Sequence, residues 1–406
     1  MRHIKSRFQI EHNKIVIFGA GKIGRSFIGQ LFGSAGYEVI FIDIDHLIVE
    51  QLNIRQSYRV VIRAENEQEI LIKNVKAILA GNREEVINSV ATAGIMAVSV
   101  GKTALEDLMP VIAAGLELRY NHAPDNPLDI IIAENMIGAG AFMKRLLKEK
   151  LPVTYPFDRL VGLIETSIGK MVPIMTSAEQ KKDPLMVYAE PYNTLILDGK
   201  GFKSGIPDIE GLAPKENIKA WVDRKAFIHN LGHATTAYYG YHLHPEAVYL
   251  YEVLDDKEVY YFVKEVMFQS ASILVSLYPH DFSISELEEH IDDLISRFRN
   301  RYLRDTIYRV GNDLRRKLSV DDRFMGVIHL ALQSGKPYDK ILKAMAYGFC
   351  FAARGEDGTV FPSDITFLDE LLKDFESALI QGLNFHPVSD KMLIDELKNL
   401  FKRLMH

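Results

Sequence analysis

Lys225, Asn230 and His233 are the residues whose types and spacing most directly suggest chemistry. They stand at i, i+5 and i+8 in KAFIHNLGH, an otherwise apolar, helix-forming stretch. On an α-helix those offsets fall at roughly 0°, 140° and 80° around the axis, so the three side chains share one broad face. A lysine there is a candidate general base. Its ordinary pKa of about 10.4 must first be lowered by desolvation or by nearby cations. The asparagine amide can donate to an oxygen that gathers charge during reaction, and the histidine can hydrogen-bond a substrate or fix the amine. The spacing also fits a surface lysine beside a buried, satisfied histidine. Only a face that looks into a cleft would be a reaction centre. Gly232 adds a hint, because glycine inside a helix costs roughly 1 kcal/mol against alanine, so something is expected to approach that backbone closely.

A second pattern supplies a reaction class. GAGKIG comprises Gly19, Ala20, Gly21, Lys22, Ile23 and Gly24 and lies between the strand-like KIVIFG and the helix-like KIGRSFIGQLFGSAG. In such a turn the first glycine allows the tight bend and the second lets a pyrophosphate approach the backbone. The third lets helix and strand pack closely, with the helix N-terminus facing the anion. Asp43 follows at the tip of the second strand-like run, EVIFIDID. A carboxylate there accepts from ribose hydroxyls and repels a 2′-phosphate, which favours NAD over NADP. Ser99–Gly101 ends a later strand on the same edge, and Val100 is taken as a further cofactor contact, although small residues also suit ordinary strand-end packing. Arg25 could reach a phosphate or stand solvated in the first helical turn.

Bound dinucleotide implies hydride transfer, which needs an acid or base. The 13 histidines contain no H-E-x-x-H pattern and the single cysteine, Cys350, cannot build a metal site. His242 and His244, two apart and followed by a proline, read as a loop. Metal-free chemistry then asks for lysine, histidine or tyrosine. Cys350, in YGFCFAA, reads as a buried structural thiol in a packed helix.

These residues need a scaffold, and 406 residues are long for one core, so two domains are expected. The first third alternates strand-like and helix-like runs, which argues for a parallel, doubly wound sheet. YRVVIRAENEQEILIKNVKAIL breaks that alternation and reads as an antiparallel insertion. LVGLIETSIGKMVPIM and LMVYAEPYNTLILDG read as strands that extend the first sheet. Past Ile218 helical periodicity dominates. The expected division is a Rossmann-like domain over 1–215 and a mainly α-helical domain over 216–406, with the boundary in LAPKEN. A net charge of −6 without a long basic run argues against nucleic acid. No run of about 18 apolar residues and no apolar leader occur, so no membrane partner and a cytoplasmic location are expected.

KAFIHNLGHATTAYYG, with its Lys-x-x-x-x-Asn-x-x-His pattern, resembles the polyol-specific long-chain dehydrogenases, most nearly their bacterial mannitol-1-phosphate 5-dehydrogenase branch. The resemblance spans nearly the whole chain, through IVIFGAGKIGRSFIGQL, IIAENM, FKSGIPDIEGL and NRYLRDTIYRVGNDLRRKLSVDDR. It implies metal-independent, NAD-linked interconversion of mannitol 1-phosphate and fructose 6-phosphate. Lys225 would be the base, Asn135 and Asn230 the oxyanion pocket, and His233 a substrate-orienting group. A monomer is plausible by the same likeness. Asn135 lies just past a core strand, where open α/β sheets place ligands, and could equally cap the next helix.

Arg309, Arg315, Arg316, Lys317 and Arg323 crowd one short region. By similarity Arg309 and Lys317 match positions that line the polyol site, and Arg316 is a candidate for forking onto a phosphate. A solvated basic loop balanced by Asp313, Asp321 and Asp322 is the plainer alternative. One departure stands out. Relatives carry an acidic-basic pair before the Val-Pro of the central strand, whereas this chain has Gly169 and Lys170, which puts the substrate in question. Tagaturonate/altronate-type reduction, oxidation of a free polyol, and a catalytically silent NAD sensor are the alternatives.

Overall fold

Alternating side chains make the first sheet a two-faced wall. The structure is a computed structural model that describes residues 8–405 apart from 135 and 137, with only the backbone at 102. The chain divides into two compact units, Met1–Ile218 and Lys219–His406. In the first, β1 (Glu11–Phe18), β2 (Glu38–Asp43), β3 (Ser57–Ile62), β4 (Gln68–Lys73), β5 (Val75–Leu79) and β6 (Ala93–Val98) precede β7 (Leu128–Ile132) and β8 (Val161–Ser167). Three short strands follow, β9 (Val187–Ala189), β10 (Leu195–Asp198) and β11 (Leu212–Lys215). The main sheet runs β11-β10-β8-β7-β6-β1-β2-β5. Its members from β5 to β8 are parallel. β10 is antiparallel to β8, and β11 runs parallel to β10.

Because side chains alternate across a strand, Ile15 and Ile17 of β1 join Val39 and Phe41 of β2 in one apolar layer, while Val16 and Phe18 join Ile40 and Ile42 in the other. The first layer is covered by the helix that follows the glycine turn, through Phe27, Ile28, Leu31 and Phe32. Helices Arg83–Thr92, Lys102–His122 and Ala139–Lys150 cover the second, through Val90, Leu105, Met109 and Met143. The expected doubly wound sheet with antiparallel extensions is therefore present. Helix Arg83–Thr92 was not read from the sequence, because its short polar opening hides its buried face.

Two strand readings need correction. β3 and β4 form the expected antiparallel insertion, in a separate small sheet of order β4-β3-β9, but β5 of the same stretch runs parallel to β2 at the edge of the main sheet. β9 pairs with β3, not with the main sheet, so LMVYAEPYNTLILDG is split between two sheets. Periodicity reports which face of a strand is buried and is silent on its partner. The stretch read as a boundary, LAPKEN, contains β11. Its pairing with β10 runs from Leu195↔Leu212 to Asp198↔Lys215, so the stretch that holds the expected boundary is a proline-bearing edge strand.

The described residues of the second unit form helices and one isolated bridge, Tyr249↔Thr306. Helix Leu231–Leu243 is central, with Ala234, Thr235, Ala237 and Tyr238 fully buried. The Tyr238 ring meets Phe324 and Phe351. Helix Ile284–Phe298 begins at a capping box made by Ser283 and Glu286 and buries Leu287, Ile291, Leu294, Ile295 and Phe298 along one stripe. Cys350 lies half-buried in a turn after helix Asp339–Gly348, not inside a helix. No described helix is long and apolar enough to cross a membrane.

Candidate active site

In the first unit, strand register brings the sequence-predicted cofactor residues to one edge. Phe18 pairs with both Ile42 and Val98, and Val98 with Ile132, so the carboxyl ends of β1, β2, β6 and β7 lie level. Gly19 takes φ +94°, a conformation that L side chains rarely adopt, and its N–H donates to the Ile42 carbonyl at 2.8 Å. A Cβ on Gly24 would collide with the Gly19 carbonyl, whereas one on Gly21 would meet nothing within 4 Å. Gly21 and Lys22 are exposed and Ile23 packs on the core. This combination is a tight bend with an open crest at a helix start, and it fits the pyrophosphate of a dinucleotide.

Asp43 lies at the end of β2, and its oxygens are partly engaged. One accepts from Ala20 N–H at 2.6 Å and the other from Asp45 N–H at 2.9 Å. Each carboxylate oxygen retains a second lone pair for a ribose hydroxyl. Val100 lies two residues past the end of β6. Its N–H donates at 2.7 Å to Glu134, which also accepts from Gly101 N–H. Glu134 is buried, and burial raises its pKa. It sits one residue before Asn135, which lies outside the described residues.

Arg25 is neither a phosphate ligand nor solvated. It is buried, and its guanidinium donates to the carbonyls of Ala20 at 2.6 Å, Leu185 at 2.6 Å and Pro184 at 3.0 Å. It braces the glycine turn against the segment before β9. Lys170, at the departure from the family pattern, is likewise used within this unit. Its amine donates to Gln30 at 3.0 Å and Asn193 at 2.7 Å and lies over the Phe27 ring. Burial pushes it down to about 7, with Glu190 acting in the opposite sense.

In the second unit, Lys225–Asn230 is a π-helical turn inside a longer helix. This changes the geometry read from the sequence. At about 4.4 residues per turn, five residues advance the chain to about 50° from the starting direction, so Asn230 is closer to the face of Lys225 than an α-helix allows. Widening the turn shifts the regular backbone bonds, and two carbonyls find partners elsewhere. Buried Ser270 donates to the Phe227 carbonyl at 2.5 Å, and buried Arg323 donates to the Asn230 carbonyl at 3.2 Å. Desolvation lowers the Lys225 amine to about 8, helped by the Arg323 charge and opposed by Asp322. The close neighbour announced by Gly232 is the Met267 side chain on helix Lys257–Leu277, not a ligand.

His233 Nε2 meets Asp305 at 3.1 Å, and its ring stacks on Phe298 with centroids 4.7 Å apart. Burial and the Arg309 charge hold it well below the ordinary imidazole range, so it is neutral near pH 7. The cationic block is strongly committed. Arg309 pairs with Asp305, Arg315 with Glu370 at 2.7 Å, and Arg316 with Asp313 at 2.5 Å and Asp322 at 3.5 Å. Buried Lys317 donates to the carbonyls of Val310 at 2.7 Å and Asn312. Burial, followed by the charges of Arg323 and Arg316, pushes Lys317 down to about 7. Sequence reasoning missed Asp305, Phe298, Ser270 and Glu134. Only Asp305 left a signal, as a carboxylate four residues before Arg309.

The mannitol dehydrogenase Rossmann domain family matches residues 13–211, and the mannitol dehydrogenase C-terminal domain family matches residues 217–384. Among solved structures, a D-sorbitol dehydrogenase in substrate-free form is 17% identical, with 98% of this chain and 94% of that chain covered at a TM-score of 0.77. The Pseudomonas fluorescens mannitol 2-dehydrogenase, solved as a ternary complex with NAD and D-mannitol, is 14% identical, with 98% of this chain and 91% of that one covered at a TM-score of 0.71. At these identities the likeness to the solved structures is one of fold. The chain belongs to the mannitol dehydrogenase family.

Proposed function

We propose that the protein is an NAD-dependent polyol dehydrogenase that interconverts mannitol 1-phosphate and fructose 6-phosphate, with Lys225 as general base. The observation that supports the lysine role is the π-turn itself, which begins at Lys225, ends at Asn230 and is held there by buried Arg323, with desolvation lowering the amine to about 8. An amine at that value is half uncharged at pH 8, well matched to proton transfer near neutrality.

NAD supplies the hydride acceptor when bound. The Gly19–Gly24 turn would hold its pyrophosphate and Asp43 its ribose, which disfavours a 2′-phosphate. On oxidation, the carbinol C–H bond breaks with its electron pair leaving as hydride. The hydroxyl proton passes to Nζ of Lys225, giving a ketone and an ammonium. Asn230 and Asn135 would donate to the oxygen as its negative charge grows. His233, neutral and fixed by Asp305, would present its remaining ring nitrogen to a substrate hydroxyl. In reduction the protonated Lys225 returns the proton.

Arg316 retains a roughly half-exposed side chain and is proposed to bind the substrate phosphate, with Arg309 and Lys317 lining the polyol site. The pairing of Arg316 with Asp313 and Asp322 favours a second reading, oxidation of an unphosphorylated polyol, because a phosphate would have to displace these carboxylates. Absorbance of NADH at fixed enzyme, with fructose 6-phosphate in one arm and fructose in the other, separates the two. Preference for fructose would replace the phosphorylated substrate while leaving the reaction class intact. No turnover with either, or with other ketoses, would favour the silent sensor.

A further inference from the structure

We propose that Arg323 is a positioning residue of the lysine site: its buried guanidinium, braced by Asp322, anchors the end of the π-turn at Asn230 and sets a fixed positive charge against the Lys225 amine. This inference rests on Lys225 being the base. It adds a residue that lies far in sequence from both the glycine turn and the Lys-Asn-His triplet.

Three observations converge on Arg323. It is only 7% exposed, although it stands in a charged stretch that reads as a surface loop. Its Nε donates to Asp322 at 2.8 Å, and the same carboxylate oxygen accepts from Arg323 N–H at 2.6 Å. This local clamp fixes the direction of the side chain. A terminal nitrogen of the guanidinium then reaches the Asn230 carbonyl 93 residues away in sequence. The π-turn departs from the regular backbone ladder, and Arg323 adds a side-chain donor at the residue where that turn ends.

The charge has a second consequence. A cation near an amine disfavours the protonated form, and here it adds to desolvation. Asp322 opposes it, so the pair sets the value between two limits. Other titratable groups described around the turn include Arg224 just before it, His229 on the turn itself, His233 on the following helix, His290 and Arg297 on helix Ile284–Phe298, and Arg309 and Lys317 facing His233. Burial lowers all three histidines and keeps them neutral near pH 7. They contribute no charge that titrates alongside Lys225. Arg323 also lowers Lys317, so one guanidinium biases both amines.

The test compares Arg323→Gln, which removes the charge, with Arg323→Lys, which keeps a charge and loses the fork. The readout is the pH midpoint for acetylation of Lys225 by acetic anhydride in the full-length protein, quantified by peptide mass spectrometry. It needs no substrate. Arg323→Gln is expected to raise the midpoint by about 1 pH unit, the scale of a removed neighbouring charge, and Arg323→Lys to restore most of that shift. The acidic limb of kcat/KM for polyol oxidation should move the same way. Should the Gln variant not fold, Asp322→Asn carries the test with the opposite sign and lowers the midpoint. An unmoved midpoint in the folded Gln variant, or equal shifts in Gln and Lys variants, would overturn the inference. If Lys225→Ala keeps full turnover, the base assignment fails instead, and the acetylation result still reports on Arg323.

Discussion

At the glycine turn of the first unit, shape comes from missing side chains and main-chain bonds. Gly19 sits at positive φ, Gly24 makes room for a carbonyl, and Asp43 and Arg25 tie down the peptide groups of Ala20. At the lysine turn of the second unit, shape comes from side chains that arrive from distant sequence, with Ser270 and Arg323 taking two carbonyls of the turn. The first arrangement is dictated locally, because only glycine tolerates those positions. The second is dictated by the tertiary fold, so the residues that tune it are scattered. A backbone-built site should lose affinity when altered, and a side-chain-built site should lose rate.

The sharpest way to break that contrast is Lys225→Ala. Turnover should fall about 10²- to 10⁴-fold, the usual worth of a general base, while NADH affinity by fluorescence titration stays nearly constant. A large loss of NADH affinity would erase the distinction. Asp43→Ala probes the other side. Loss of a charge-assisted hydrogen bond, about 1.5–3 kcal/mol, should weaken NAD binding by tenfold or more and narrow the preference over NADP, with kcat little changed. Comparison of NAD and NADP kinetics checks it.

Arg25→Met should have a smaller effect. Leaving the carbonyls of Ala20, Pro184 and Leu185 without their buried donor should destabilise the first unit by about 1–3 kcal/mol. Limited proteolysis and thermal unfolding monitor the loss, and recovery of NADH affinity at lower temperature would show that the turn, not the ribose site, had loosened. Lys170→Met sharpens the comparison by pH. The folded value of about 7 lies below the ordinary lysine value, so burial costs stability fully below pH 7, and that cost fades as pH rises towards the unfolded value. Wild type should gain on the variant by about 1 kcal/mol per pH unit above 7. Denaturant unfolding at pH 7, 8 and 9 measures this, and a constant difference would mean that the amine stays charged.

The doubly wound sheet was legible because strands such as β1, β2 and β7 announce themselves by apolar, β-branched runs and the first turn by its glycines. Asp43 was legible because its place follows from strand length alone. Partnership was not legible. β9 carries the same apolar signal as β10 yet joins a different sheet, and β11 hides behind a proline. At the lysine turn, residue types were readable while the backbone was not. An α-helix was assumed, and the π-turn that draws Asn230 towards Lys225 has no compositional mark. Arg323 reads as part of a charged loop and Arg25 as a phosphate contact or a solvated cation, because sequence gives charge and withholds the carbonyls that a buried guanidinium can satisfy.

Arg25 carries a practical consequence. The peptide groups it grips before β9 lie some 160 positions downstream of it. An excised N-terminal fragment ending short of Pro184 would preserve every letter of the dinucleotide fingerprint and lose its clasp. Such a fragment should be a poor mimic of the intact nucleotide pocket, and a lengthened or cleaved chain around that distant clasp should be felt at the far end of the polypeptide.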